Sequence, residues 1–158
     1  MRDLLGSDFP KSEKTAEERA IFKLKLRSNT TEQFIEDIFP VDIRYSLLLE
    51  CKVTQDGFRD DYLNNIIRRR QMLRVNKKLD FFIQETNCPY GCDIYWKVRN
   101  VGSVAEQKKC VRGEIKRTNN DHQIEHTSFR GEHYVECYLV RNGICVARAH
   151  IDVPISVI

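Results

Sequence analysis

From residue 43 onward, apolar and polar residues alternate with a period of two in short segments separated by turn residues. This is the pattern of packed antiparallel strands. In Ile43–Val53, Tyr45, Leu47, Leu49, Cys51 and Val53 share one face, and Gln55-Asp56-Gly57 follows as a turn. In 78–85, Leu79, Phe81 and Ile83 point inward. In 93–100, Ile94, Trp96 and Val98 do, and in 111–117 Val111, Gly113 and Ile115 are in phase. Two further strands, near 132–141 and 144–152, form a hairpin across Arg141-Asn142-Gly143, because Asn-Gly suits a two-residue hairpin turn. Five or more such strands around a buried Trp96 predict a mainly β fold, an immunoglobulin-like antiparallel β-sandwich with short helices. The disulfide and tyrosine-corner spacings of antibody domains are missing, so the prediction concerns architecture alone.

The helical pattern is sparse. Thr30-Thr-Glu-Gln33 is a capping box that predicts a helix over 31–39, stopped by Pro40. A second helix is predicted over 60–73, with Asp60 and Asp61 at its start and Arg68, Arg69 and Arg70 near its end, as the helix dipole favours. That arginine triplet is either a solvated helix end or an anion site. Upstream, Thr15-Ala-Glu-Glu18 opens a short charged helix whose apolar face (Ala20, Ile21, Leu24) is thin. Residues 1–28 are therefore expected to be a helical tail or linker, and 29–158 one domain.

Composition narrows the function classes. With 41% apolar and 31% charged residues the chain is globular rather than disordered. A net charge of +3 permits an anionic ligand but gives no footprint for a long nucleic acid. No apolar run reaches the length of a membrane span, and no signal-peptide core stands at the N-terminus, so a cytoplasmic location without a membrane partner is expected. Six cysteines, at 51, 88, 92, 110, 137 and 145, are then expected to be reduced. Cys88-Pro-Tyr-Gly-Cys92 is half of a zinc site or a pair of loop cysteines, with His122 and His126 the nearest candidates to complete it. No cofactor is expected.

The same alternation sorts the polar residues. With Ile94, Trp96 and Val98 inward, Tyr95, Lys97 and Arg99 point outward together. With Val135, Cys137 and Leu139 in the core, Tyr134, Glu136 and Tyr138 lie outside. With Cys145, Ala147 and Ala149 inward, Val146, Arg148 and His150 do. Such a face suits a base stacked on a ring with a phosphate held by Lys or Arg. It equally suits cross-strand pairing on a solvated sheet, with Glu136 opposite Lys97 or Arg148, or packing on a partner. Gly113, between Arg112 and Glu114, marks a bulge or a close approach of another backbone or a ligand. Thr127 and Arg130 offer donors to an anion or cap their own loop. His133 with Glu132 or Glu136 would make an acid/base pair, but no nucleophile or metal motif accompanies it, so no enzyme is expected.

Five blocks in order carry a resemblance: Phe39-Pro-Val-Asp42; Cys51-Lys-Val-Thr-Gln-Asp-Gly-Phe58; Pro89-Tyr90 with Tyr95-Trp-Lys-Val-Arg-Asn-Val-Gly102; Arg112-Gly-Glu-Ile115; and Glu125-x-Thr-x-Phe-x-Gly-x-His-Tyr-Val-Glu-Cys137. Between about Thr30 and Pro154 the chain resembles the adenylyl/guanylyl cyclase and SMODS C-terminal sensor domain (AGS-C) family. The resemblance implies a non-catalytic sensor domain of bacterial cyclic-oligonucleotide, anti-phage signalling. It would bind a nucleotide, a cyclic oligonucleotide or another infection-derived ligand and regulate an associated nucleotidyltransferase or effector. No Gly-Ser element followed by an Asp-x-Asp pair stands here to hold magnesium. The expected ligand or partner surface is Tyr95, Lys97, Arg112, Glu114, Thr127, Arg130, His133 and Tyr134. The alternative is a protein-interaction module docking through the same tyrosine- and cation-rich face.

Overall fold

Eight strands build two four-stranded antiparallel sheets in the computed structural model, which describes residues 32–55, 57, 59–71, 73, 77–101, 112–126 and 131–155. The expected tail 1–28, with its capping box, lies outside those residues, as do Val111, Thr127 and Arg130. The strands are β1 (Leu47–Thr54), β2 (Asp61–Tyr62), β3 (Lys78–Thr86), β4 (Asp93–Val101), β5 (Ile115–Arg117), β6 (His122–His126), β7 (Gly131–Arg141) and β8 (Ile144–Ile155). One sheet runs β2-β1-β3-β6, the other β5-β4-β7-β8. The mainly β antiparallel sandwich is thus the predicted architecture.

The core is made by the phase the alternation indicates. Leu49, Cys51 and Val53 of β1 and Leu79 and Phe81 of β3 meet Trp96 and Val98 of β4, Val135 and Cys137 of β7, and Ile151, Val153 and Ile155 of β8. Trp96 is core, and its indole N–H donates to the carbonyl of Asn120 at 2.7 Å. The β7–β8 hairpin turns on Asn142 and Gly143, both with positive φ (53° and 75°). That pair of left-handed residues matches the twist of the flanking strands.

Four expectations need correction. The predicted helix over 31–39 is a single 3-10 turn, Ile35–Asp37, in an otherwise extended segment. Gln33 does not cap it. Its N–H donates to Gly113 O (2.8 Å), and its side-chain oxygen accepts from the Ile115 N–H (2.7 Å). The predicted helix over 60–73 shrinks to α1 (Leu63–Arg68), because Asp61 and Tyr62 pair with Val53 and Lys52 as β2. Its far end is closed by Arg70 at φ 58°. Arg69 turns back onto Asp61, and the triplet stays solvated.

The third correction concerns β8. Leu139 pairs with Ala147 but Val140 pairs with Cys145, a bulge that leaves Val146 as the extra residue. Cys145 therefore lies not with Ala147 and Ala149 but on the other face, packed with Ile35, Tyr138 and Val140, and Val146 is buried rather than outside. The expectation of reduced cysteines fails at one pair: Cys88 and Cys92 are joined as a disulfide in the β3–β4 connection. No helix among the described residues is long and apolar enough to cross a membrane.

Candidate functional site: a strapped sheet face

The outer face of the β5-β4-β7-β8 sheet carries the residues that alternation directs away from the core. Antiparallel register sets Tyr95 beside Tyr138, Lys97 beside Glu136, and Arg99 beside Tyr134. It then sets Glu136 beside His150 and Tyr138 beside Arg148. This face is not open to solvent. Residues 32–39 lie across it as a strap, leaving Lys97 2% and Arg99 7% exposed.

Glu32 is the strap's polar anchor. Its Oε2 accepts from Lys97 Nζ at 2.9 Å and from the Tyr134 hydroxyl at 2.6 Å, and its Oε1 lies 3.5 Å from Arg99 Nη2. The ring of Phe34 stands over Lys97 with its centroid 4.9 Å from Nζ, and the Tyr134 ring lies 5.3 Å away. Both distances fit cation–π contact. Ile35 is fully buried against Ile115, Tyr138, Val140 and Cys145. Phe39 meets Tyr95 edge to face at 5.3 Å. Glu36 pairs with Arg148 at 3.0 Å on the half-exposed rim.

Gly113 makes the close fit possible. A Cβ placed there would sit 2.7 Å from the Glu32 Cα, closer than two non-bonded carbon atoms can approach. Of the two readings of this glycine, the close approach is the one observed, and the approaching backbone is the strap.

The electrostatics follow from burial. Partial burial pushes the Glu32 carboxyl up, but hydrogen bonds from Tyr134 and Lys97 and the nearby charges outweigh it and hold the group below the usual carboxylate value. Burial, then the hydrogen bond to Glu32, raises the Tyr134 hydroxyl. Glu136 accepts from the Tyr138 hydroxyl and lies 2.8 Å from His150 Nδ1, whose Nε2 is 2.7 Å from Asp152. Burial pushes His150 down, yet these two carboxylates together raise it above its ordinary value.

A second feature opens at the side of the sandwich. A cleft of about 170 Å³ has Trp96 and Val98 as its floor and Arg112, Glu114, Lys116, Thr118 and Gln123 as its walls. Arg112 is held at 2.6 Å by Glu125, which also accepts from Gln123 at 2.7 Å.

The eight expected residues therefore divide. Tyr95, Lys97 and Tyr134 come together beneath the strap, and Arg112 and Glu114 border the side cleft. His133 is half-buried, its Nδ1 2.7 Å from the Asn100 side chain. Thr127 and Arg130 lie outside the described residues. The acid/base pair of His133 with Glu136 is not assembled, because the two side chains leave β7 on opposite faces. The three free thiols described, Cys51, Cys137 and Cys145, are all shifted upward by burial, which disfavours a nucleophilic thiolate. Sequence reasoning missed Glu32, an interior residue of the expected Thr30–Gln33 capping box, and left Arg99 out of the expected surface. Nothing near Glu32 in the sequence signals partners 65 and 102 residues away.

Residues 29–156 match the family model described as the adenylyl/guanylyl and SMODS C-terminal sensor domain. No curated protein matches the chain. The chain belongs to this family of sensor domains, which serve nucleotidyltransferase-associated systems.

Proposed function

We propose that this member of the sensor family binds a nucleotide-like or infection-derived ligand and regulates an associated nucleotidyltransferase or effector in a cytoplasmic anti-phage system, without itself catalysing a reaction. The observation that carries this reading is Lys97. A lysine side chain is almost never fully buried unless its charge is matched, and here it is enclosed among aromatic rings on the outer face of a sheet rather than in a core. A cation, a neighbouring guanidinium and tyrosine rings on one rigid surface are the groups that take a phosphate and a base. Strands hold them in register, and the covering segment is the part that can respond. The proposed surface keeps Tyr95, Lys97, Thr127, Arg130 and Tyr134, with Arg112 and Glu114 contributing from the cleft side; His133, which leaves β7 on the face opposite to Tyr134, stands apart from it.

A thermal-shift panel of linear and cyclic nucleotides tests this. One compound should raise the melting temperature by several degrees, by linkage of binding to folding. Lys97→Met, which keeps the length of the stem, and Arg130→Ala should lose the shift. A flat response across the panel would sink the reading.

A docking module is favoured by a different observation. The outer face of the β2-β1-β3-β6 sheet leaves Leu48, Tyr62 and Ile124 exposed around the partly buried Phe82. On that reading a partner protein covers the open sheet, not the tyrosine- and cation-rich face.

A further inference from the structure

Resting on the sensor reading, we infer that Lys97 and Arg99 form a phosphate site that the chain keeps filled with its own Glu32 carboxylate. A phosphate-bearing ligand binds by replacing that carboxylate and so releases the strap.

The donor set supports the substitution. A lysine ammonium at 2.9 Å, a tyrosine hydroxyl at 2.6 Å and a guanidinium at 3.5 Å converge on the two oxygens of Glu32. These are phosphate-binding groups, a point charge, a hydroxyl and a fork. The carboxylate satisfies them unevenly. The Arg99 contact is an ion pair longer than a good hydrogen bond, and its Nη1 donates instead to the Arg112 carbonyl at 2.9 Å. A phosphate has more oxygens and more charge to spread over the three donors.

Charge balance points the same way. Two buried cations face Glu32, and Glu136, 4.0 Å from Lys97, is already engaged by Tyr138 and His150. Withdrawing Glu32 would leave buried positive charge short of a counterion, a state that another anion relieves. Glu32 thus behaves as a tethered competitor for its own site.

The strap is also separable from the fold. From Pro40 the chain is stitched to β8: Cys145 N–H donates to Pro40 O, and the N–H groups of Asp42 and Arg44 donate to Cys145 O and Val146 O. Beyond Glu32 itself, residues 32–39 are held by Gln33, by the buried Ile35, by the rings of Phe34 and Phe39 against Lys97 and Tyr95, and by the rim pair Glu36–Arg148. Release of that stretch leaves both sheets paired and uncovers the rings of Tyr95, Tyr134 and Tyr138 beside the two cations. The ligand class that uses all of these groups is a phosphate ester bearing a planar ring.

The test melts the full chain in millimolar pyrophosphate and in sodium chloride of matched ionic strength. Glu32→Gln should melt several degrees below the parent and recover in pyrophosphate but not in chloride. The parent should gain less, and the Glu32→Gln, Lys97→Met double variant should not recover. Equal melting of Glu32→Gln in the two salts overturns the inference. Should that variant fail to fold, amide exchange on the parent decides. Pyrophosphate should speed exchange at Gln33 and Ile115 about tenfold while β7 amides stay protected, and unchanged exchange overturns the inference. A nucleotide that binds with Gln33 still protected overturns the latch and leaves the sensor reading intact. Recovery in pyrophosphate with no response to any nucleotide supports the anion site and removes the nucleotide reading.

Discussion

The two outer faces of the sandwich are built by the same alternation and end in opposite environments. On the β2-β1-β3-β6 sheet, Lys52 meets Asp60 at 3.2 Å with both side chains nearly half exposed. On the β5-β4-β7-β8 sheet, Lys97 meets Glu32 at 2.9 Å with the lysine enclosed. The pairs are alike in chemistry and length. What differs is the covering segment, which moves one pair from water into a low-dielectric setting where breaking it leaves an uncompensated charge. The energetic weight of an ion pair is thus set here by a third party, the strap.

The comparison can be broken most forcefully at Glu32. Glu32→Gln should cost about 3–5 kcal/mol of stability in chemical denaturation, as expected when one partner of a buried pair is removed. Asp60→Ala, its counterpart on the open face, should cost under about 1 kcal/mol. Equal costs would show that the strap does not insulate its pair.

Gly113→Ala comes next. Its new methyl would press on the Glu32 backbone, and a loss of about 1–3 kcal/mol is expected from overpacking. The same substitution should raise amide exchange at Gln33 and leave the open sheet unaffected.

The pH response sharpens the contrast further. His150 is raised in the folded state, so its contribution is complete below its ordinary value of 6.5 and is lost as pH rises through the raised value. Glu32 is depressed, so its contribution is present above 4.5 and is lost as pH falls through the depressed value. Denaturation midpoints should therefore fall on both sides, the alkaline fall being under about 1 kcal/mol because His150 is half exposed. His150→Gln should abolish the fall that begins near 6.5 and leave both the acid fall and the fall that the raised thiols add above 9.0.

The smallest effect belongs to the open face. Ile124→Lys should change stability by no more than about 0.5 kcal/mol, as surface substitutions do. Its use is to abolish capture of a docking partner, if that sheet rather than the strapped one is the interface.

Much of the frame was legible in the sequence. Period-two alternation located β1, β3, β4, β7 and β8 and their core residues, because one buried face imposes that pattern. Asn142-Gly143 located the hairpin, because few other pairs accept two positive φ values in succession. The failures have equally specific causes. Cys145 was placed on the wrong face because a bulge inserts one residue between strands that otherwise keep phase, and no residue type announces it. Glu32 and Gln33 fit a capping box, but their side chains serve β4, β5 and β7 instead. Asp61 and Tyr62 were drawn out of a helix by pairing with β1. Alternation also told that Lys97 and Arg99 leave the core side of the sheet. It carries no information on whether something else covers the face they reach.

The strap's contacts are widely separated along the chain: 82 residues between Gln33 and Ile115, 102 between Glu32 and Tyr134, and 112 between Glu36 and Arg148. Contacts this distant form late, after the sheets that bring their partners together have closed. At ordinary synthesis rates, Glu32 is made about 5–20 s before Tyr134. The strap is thus the earliest described segment to leave the ribosome and the last able to dock. From the moment Lys97 and Arg99 are made until Tyr134 follows, the nascent chain carries these two cations toward a face that has not yet received its cover.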